Sequence, residues 1–169
     1  MDIKSAYLYG KLDNSEKIYM KPPTGIEIPG IKPGQVLHLR LALYGLKQAG
    51  RRWYLKFCSI MKEVGLRRSD FDHAIFFQTK PLVIIFIHVD DMTIVTDTKE
   101  DMKKLKDKIK ERVEVKDEGE LHWMLGVEIR RDREKKTLQL SQRSYIDSII
   151  SRYGFSDTKP VSIPFDPQK

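Results

Sequence analysis

The chain has 169 residues, of which 40% are hydrophobic and 33% charged, and its formal net charge is +7. This length suits one domain, or one domain and the beginning of a second. The positive charge favours a polyanionic partner such as nucleic acid, although many basic proteins have no such partner. Cys58 is the only cysteine, which excludes an intrachain disulfide and suits a reducing compartment.

Zinc-binding and membrane-spanning segments are not predicted. One cysteine and four scattered histidines provide no zinc-ligand spacing. The longest apolar run, residues 82–87, is too short to cross a bilayer, and the N-terminus has no signal-peptide pattern. We therefore expect an intracellular, soluble protein.

The first third of the chain predicts a strand, a series of turns and a helix. Residues 2–8 predict a strand that begins almost at the first residue, so we expect the chain to be truncated there. Proline and glycine between 22 and 34 predict turns that join extended pieces at 17–20 and 36–40. Residues 51–64 predict a helix that ends at Gly65. Its apolar positions follow helical spacing: Trp53, Phe57, Ile60, Met61 and Val64.

The middle of the chain predicts strands at 75–78, 82–88 and 92–96. Residues 82–87 are apolar on both faces, as in a central strand. A helix follows, with Asp97 or Thr98 as its cap and an acidic residue three positions later. Its buried stripe is predicted to contain Met102, Leu105, Ile109 and Val113, and its lysines are predicted to form a solvated face.

The last third predicts two strands and one helix. Strands at 121–129 and 137–140 flank a charged turn at 130–136, and a helix over 142–153 ends at Gly154. The tail, with Pro160, Pro164 and Pro167, is predicted to be a linker.

The element order from residue 2 to 115 is β, α, β-turn-β, α, β, with one extra strand at Ile75. This order predicts an α+β fold of the ferredoxin-like (split βαβ) type. That fold hosts nucleic-acid binders and polymerases alike, so it does not decide function.

Two adjacent acids, Asp90 and Asp91, follow the most apolar strand. They are common residues of a hairpin turn. Alternatively, adjacent acids repel each other and are best tolerated with a cation between them. If Asp2 joins them at the same sheet edge, the three carboxylates suit Mg²⁺, and two such ions can support transfer to a 3′-hydroxyl. Spacing alone does not show that Asp2 reaches the pair.

Five segments, in the right order, resemble copia-type reverse transcriptases of retrotransposon Pol polyproteins. Residues 1–10, Met-Asp-Ile-Lys-Ser-Ala-Tyr-Leu-Tyr-Gly, resemble motif A, and Leu-Tyr-Gly-Leu-Lys-Gln at 43–48 with Arg-Trp-Tyr at 52–54 resembles the motif B region. Ile-His-Val-Asp-Asp at 87–91 stands where these enzymes carry Tyr-Val-Asp-Asp. The remaining matches are 119–121 with 125–129, similar to the primer grip, and 140–142 with Tyr145, similar to the region leading to the thumb.

This resemblance implies an RNA-directed DNA polymerase that binds two Mg²⁺ ions, a dNTP and a primer on an RNA or DNA template. It implies a palm at 1–128, with a partial fingers-side insertion at 11–47, and a primer-grip exit and start of the thumb or connection at 129–169. It also implies a chain truncated at both ends, without the RNase H and integrase regions. The expected location is a cytoplasmic particle or the nucleus.

The resemblance also assigns roles to individual residues. Asp2 and Asp90 would hold both metals, Asp91 would be the second acid of the pair, and the backbone carbonyl of Ile3 would complete a metal shell. Tyr7 would be the gate against a 2′-hydroxyl. The remaining assignments are Tyr44, Gly45 and Lys47 in the dNTP pocket, and Trp123, Met124, Leu125 and Gly126 in the primer grip.

Each of these assignments has a plainer alternative. Tyr7 is also compatible with a core aromatic on an alternating strand. Residues 44–47 are compatible with a turn before a helix, and residues 123–126 with an apolar core strand. The family pattern is also broken at two places: His88 replaces a tyrosine, and Ala49-Gly50 replaces Ser-Pro.

Two other functions remain open. The chain could be a catalytically inactive remnant that at most binds nucleic acid, with salt-dependent affinity for template-primer. A ferredoxin-like RNA-binding module is less favoured, because the aromatic run expected on an RNA-recognition sheet is not evident.

Overall fold

Residues 1–160 are described by a computed structural model, and the chain divides into two units, Met1–Gly119 and Glu120–Lys169. Both are mixed α/β, with antiparallel sheets. The strands and helices of the first unit are β1 (Asp2–Ile3), β2 (Tyr19–Met20), β3 (Leu37–His38), α1 (Ala49–Glu63), β4 (Arg67–Arg68), β5 (Ile75–Thr79), β6 (Leu82–His88), β7 (Asp91–Thr96), α2 (Lys99–Lys110) and β8 (Val115–Lys116). Those of the second unit are β9 (Trp123–Met124), β10 (Val127–Asp132), β11 (Thr137–Ser141) and α3 (Arg143–Arg152).

The main sheet of the first unit has six strands in the order β4-β5-β6-β7-β1-β8. Every neighbouring pair is antiparallel. Strands β2 and β3 form a separate pair, which confirms the extended pieces predicted at 17–20 and 36–40. The short strand β4 was not predicted, because two exposed arginines carry no hydrophobic pattern.

The predicted central strand is confirmed, since β6 pairs with β5 on one side and β7 on the other. Val83, Ile85 and Ile87 are buried, whereas Leu82, Ile84 and Phe86 are half-buried. The buried residues of β6 belong to a core cluster with the apolar faces of α1 and α2. Fully buried side chains of this core include Phe57, Ile60, Met61, Phe76, Ile85 and Ile109.

The strand predicted at residues 2–8 is wrong beyond Ile3. Ser5 adopts a left-handed conformation (φ 51°), and a 3₁₀ helix, Ala6–Tyr9, follows. Ile3 and Ala6 are both buried, and their spacing of three residues suits a helical turn rather than a strand. Gly10 then packs closely against α1, since an added Cβ at Gly10 would lie 2.8 Å from the backbone nitrogen of Trp53. The chain therefore turns away from the sheet after two residues to pack on α1.

The helix predicted at 51–64 is confirmed, with a start two residues earlier at Ala49. The pair Ala49-Gly50 contains no proline, so no proline ring prevents the helix from including both residues. Ala49 is buried at the first helical position. Val64 caps the C-terminal end, and Gly65 adopts φ 95°, as expected of a glycine that stops a helix.

The helix α2 begins with the capping arrangement that the sequence predicts. The Thr98 side chain accepts a hydrogen bond from the Asp101 backbone N–H at 3.0 Å. Of the predicted stripe, Leu105, Ile109 and Val113 are buried and Met102 is half-buried. The cap therefore satisfies one backbone N–H at the start of a helix whose other face is solvated.

Replacing Thr98 with Ala is expected to lower the free energy of unfolding by about 1 kcal/mol, because the Asp101 N–H loses its side-chain acceptor. Urea denaturation followed by circular dichroism measures this change. Thr24→Ala, at an exposed threonine in the 22–34 loop, serves as the control and should change stability by less than about 0.5 kcal/mol. Equal effects from the two variants would contradict the capping role.

The second unit corrects another predicted strand. Residues 121–129 form two strands, β9 and β10, because Leu125 (φ 50°) and Gly126 (φ 78°) make a tight two-residue hairpin turn. The sequence did not predict this turn, because Leu125 continues the apolar pattern and leucine is uncommon at positive φ. Strand β10 continues to Asp132, so the predicted charged turn is shorter, and it leads into β11 as expected.

The helix predicted at 142–153 is confirmed as α3, which is followed by Gly154 at φ 71°. None of its side chains is buried. Within residues 120–160, Ile129 is the one buried hydrophobic side chain. Of the predicted linker prolines, Pro164 and Pro167 lie outside the described residues.

Candidate active site

Asp90 and Asp91 lie at the tight turn between β6 and β7. His88 and Asp91 are cross-strand partners, which leaves a two-residue loop of Val89 and Asp90. Val89 adopts φ 58°, a left-handed conformation that is a clear outlier for a β-branched residue. Two hydrogen bonds hold the loop carbonyls: Trp53 Nε1–H donates to Val89 O at 2.6 Å, and Ile3 N–H donates to Asp90 O at 2.9 Å.

Asp2 lies directly opposite Asp91 in the antiparallel pair of β1 and β7. The flanking bonds run from Ile3 N–H to Asp90 O and from Met92 N–H to Met1 O, so Asp2 and Asp91 form a non-hydrogen-bonded pair. In such a pair the Cα atoms lie about 4.5 Å apart and the side chains share one face. Asp2 therefore lies on the same face of the sheet as Asp91. Its spacing in the sequence could not show that it reaches the pair of acids.

One row of side chains crosses four strands at this level of the sheet. His88, Asp91, Asp2 and Lys116 are successive cross-strand partners on β6, β7, β1 and β8. Two like charges directly opposite each other destabilise a sheet, and this row places two carboxylates at its centre. The row thus concentrates negative charge between a histidine and a lysine.

Lysines flank Asp2 without forming an ion pair with it. Lys116 Nζ contacts Glu118 Oε1 at 2.8 Å, and Lys4 pairs with Glu114. These hydrogen bonds raise the pKa of both lysines, and the nearby charge of Asp2 adds to the increase. Both amines therefore remain protonated at neutral pH beside the carboxylate row.

The three acids are available as ligands. No described residue donates a hydrogen bond to the carboxylate of Asp2, Asp90 or Asp91, or forms a salt bridge with it. No hydrogen bond runs from the Asp90 N–H to the Ile3 carbonyl, although the reciprocal bond is present. The three carboxylates and the Ile3 carbonyl provide the hard oxygen donors that Mg²⁺ prefers, so these residues fit such an ion chemically.

The carboxylates are neighbours but do not form a closed chelate. Among residues 1–160, no group of three or more His, Cys, Asp or Glu side chains is arranged to hold a metal ion. The backbone brings Asp2 and Asp91 together and places Asp90 beside them. Convergence of all three on one cation stays a prediction.

Two of the residues assigned to the dNTP pocket are in contact. The ring centroids of Tyr7 and Tyr44 lie 4.6 Å apart. Tyr7 lies on the 3₁₀ helix and not on a strand, and it is half-buried against the core of the first unit, so its alternative as a core aromatic is wrong only about the strand. Gly45 has φ 94°, which favours glycine, and Lys47 is exposed.

The residues assigned to the primer grip lie together on one hairpin of the second unit. Trp123 and Met124 form β9, and Leu125 and Gly126 form the turn. Trp123 is 53% exposed and Leu125 52% exposed, so the alternative of an apolar core strand is wrong. The hairpin presents two large apolar side chains to solvent.

Two contacts at this site were not predicted from the sequence. The first is Lys116 opposite Asp2, and the second is the bond from Trp53 to the Val89 carbonyl. Trp53 was predicted only as an apolar position of α1. Neither contact has a local signal, because the partners lie more than 30 residues apart in the chain.

The sequence of this chain matches a known protein family. The family model described as "Reverse transcriptase (RNA-dependent DNA polymerase)" matches residues 1–167. The chain belongs to this reverse transcriptase family. This membership confirms the resemblance drawn from motifs A and B and the Asp-Asp turn.

The relatives of this reverse transcriptase chain include Pol polyproteins of plant transposons. It is 39% identical to the retrovirus-related Pol polyprotein from transposon TNT 1-94 of Nicotiana tabacum, over 97% of this chain and 12% of that protein. It is 36% identical to the corresponding polyprotein from transposon RE1 of Arabidopsis thaliana, over 99% of this chain and 11% of that protein. The chain thus spans about an eighth of the length of these relatives.

No solved structure resembles this reverse transcriptase chain at a significant level. No helix among residues 1–160 has the length and apolar character needed to span a membrane.

Proposed function

We propose that the chain is the palm of a copia-type reverse transcriptase, which transfers a nucleotidyl group from a dNTP to a primer 3′-hydroxyl. One observation carries this proposal: Asp2 and Asp91 are directly opposed at the narrow position of an antiparallel pair, with Asp90 next to them at the turn. Two carboxylates at this separation repel unless a cation lies between them. A site that gathers negative charge and leaves it unpaired suits divalent metal binding.

The strand order of the first unit supports assignment as a palm. Strands β6-β7-β1-β8 with helices α1 and α2 follow a β-α-β-β-α-β path, which is the split βαβ arrangement. In this proposal, residues 1–128 are the palm, 11–47 supply part of the fingers, and 129–169 lead from the primer grip toward the thumb or connection. The chain would work within a longer Pol polyprotein, in a cytoplasmic particle or the nucleus.

Asp2, Asp90 and the Ile3 carbonyl would hold two Mg²⁺ ions, with Asp91 as the second acid of the turn. Such ions, when bound, activate a 3′-hydroxyl and neutralise a leaving pyrophosphate. The protein itself positions the reactants: β1 and the β6–β7 turn supply the carboxylates from a rigid sheet. The exposed hairpin of Trp123 and Leu125 would contact the primer end.

Primer extension on a homopolymer template tests the proposed activity. The comparison uses this chain and a version extended upstream and downstream into its parent polyprotein, because phosphoryl transfer depends on a complete positioning apparatus. We expect the extended protein to incorporate dNTP with Mg²⁺, to stop with EDTA and to recover when Mg²⁺ is restored. Incorporation that persists in EDTA would contradict the metal-dependent mechanism.

Tyr7 is proposed as the residue that excludes ribonucleotides, with Tyr44 supporting its ring. Replacing Tyr7 with Ala removes this bulk, so discrimination against ribonucleotides should fall about 10- to 100-fold. The measurement is kcat/KM for dNTP and rNTP in the extended protein. Tyr7→Phe keeps the ring and should preserve discrimination; if Tyr7→Ala also preserves it, Tyr7 is not the gate.

A nucleic-acid-binding remnant without catalysis is the second candidate. It is favoured by the lack of a closed three-residue chelate among the described residues, together with the net charge of +7. In this case template-primer would bind with an affinity that falls steeply with salt, and no dNTP would be incorporated in Mg²⁺ by either form of the protein.

A further inference from the structure

The turn that carries Asp90 has a conformation that its own residues disfavour. Val89 is β-branched and left-handed (φ 58°), a conformation that such a residue keeps only when its surroundings impose it. The Val89 side chain is 38% exposed, so side-chain packing does not hold it. The constraint must therefore come from the backbone of the turn.

Two donors from different elements hold that backbone. Ile3 N–H on β1 donates to Asp90 O, and Trp53 Nε1–H on α1 donates to Val89 O at 2.6 Å. The first bond belongs to the β1–β7 ladder. The second depends on a side chain, and it links the turn to the helix beneath the sheet.

The Trp53 ring is itself fixed in place. It is 2% exposed, and its ring centroid lies 5.7 Å from that of Phe57 and 6.0 Å from that of Tyr9. Gly10 packs so closely that a Cβ there would lie 2.8 Å from the Trp53 backbone nitrogen. A donor held this firmly can impose a conformation on its acceptor.

We propose that Trp53 is a positioning residue of the carboxylate site, and that its indole N–H holds the Val89–Asp90 turn in register with Asp2. The inference rests on the proposed metal-dependent function. Repulsion between Asp2 and Asp91 pushes the turn and β1 apart, and the bond from Trp53 resists this displacement before any cation arrives. Trp53 contacts no reactant and acts only through the turn.

The test measures Mg²⁺ binding by calorimetry on the 169-residue chain, in wild type and in two variants that lack the donor. Trp53→Phe removes the N–H, and a benzothiophene amino acid at position 53 removes it while keeping the ring size. Because both variants lose one net hydrogen bond, we expect their Mg²⁺ affinity to fall about two- to tenfold. Met61→Leu, a volume-conserving core change on the same helix that keeps the donor, should bind Mg²⁺ as wild type does.

Hydrogen exchange provides a second readout that requires no metal. The Trp53 indole N–H should exchange slowly, and the NMR signals of the Val89 and Asp90 amides should shift in the benzothiophene variant but not in Met61→Leu. Normal Mg²⁺ affinity in both donor-free variants, or an equal loss in Met61→Leu, would overturn the positioning role alone. Equal binding by wild type and Asp90→Asn, or no binding by wild type, would overturn the metal assignment and this inference with it.

Discussion

Replacing Asp90 with Asn is expected to lower nucleotide incorporation by about 10³-fold or more in the extended protein. The carboxylate would hold the divalent ions, and loss of several kcal/mol of transition-state stabilisation has an effect of this size, at 1.36 kcal/mol per tenfold. Asn has nearly the same shape, and the Asp90 backbone carbonyl would still accept the bond from Ile3. The fold and the affinity for template-primer should therefore remain close to those of wild type.

The measurement is single-turnover primer extension with saturating dNTP and Mg²⁺, together with template-primer binding at fixed salt. Asp70→Asn is the matched control: it is an exposed aspartate of the same unit, distant in sequence from the turn, and its loss should leave the rate unchanged. Activity that survives in Asp90→Asn would rule out Asp90 as a metal ligand. Loss of template-primer binding in the same variant would instead indicate a structural role.

Replacing Phe57 with Ala is expected to lower the free energy of unfolding of the first unit by about 3–5 kcal/mol. Phe57 is 1% exposed and packs edge-on against Phe76, with ring centroids 5.3 Å apart. Its removal leaves a cavity at the centre of the core that joins α1 to the sheet. Because whole domains are stable by only about 5–15 kcal/mol, this loss should shift the urea midpoint far toward zero.

Phe71→Ala supplies the control, because Phe71 is 103% exposed and makes no core contact. Its effect should stay within about 0.5 kcal/mol. Circular dichroism during urea unfolding reports both variants. A change of less than about 1 kcal/mol in Phe57→Ala would show that the core does not depend on α1 as the structure implies.

Local patterns predicted the elements that depend on local chemistry. The helical spacing of apolar residues predicted α1 and α2, and the Thr98 cap was visible in the sequence. Strand β6 was predicted at its observed bounds because seven consecutive residues favour extended structure. The two strands predicted with wrong bounds, at 2–8 and 121–129, have one cause: a tight bend at Ser5 or Leu125 leaves no mark in the local residue pattern.

The candidate site was only partly predictable. The Asp90–Asp91 turn follows from its position between two apolar segments. The opposition of Asp2 to Asp91 requires two strands that are 89 positions apart to pair, and the Trp53 bond requires a helix to pack beneath the turn. Both are tertiary contacts between distant segments, and neither changes the local periodicity of the chain.

A crystal structure of the chain grown with Mn²⁺ would test the central claim most directly, because anomalous scattering locates the ion independently of activity. The prediction is a peak within coordinating distance of the Asp2 and Asp90 carboxylates. A peak elsewhere, or an ion at the turn that the Asp2 carboxylate does not contact, would contradict the assignment.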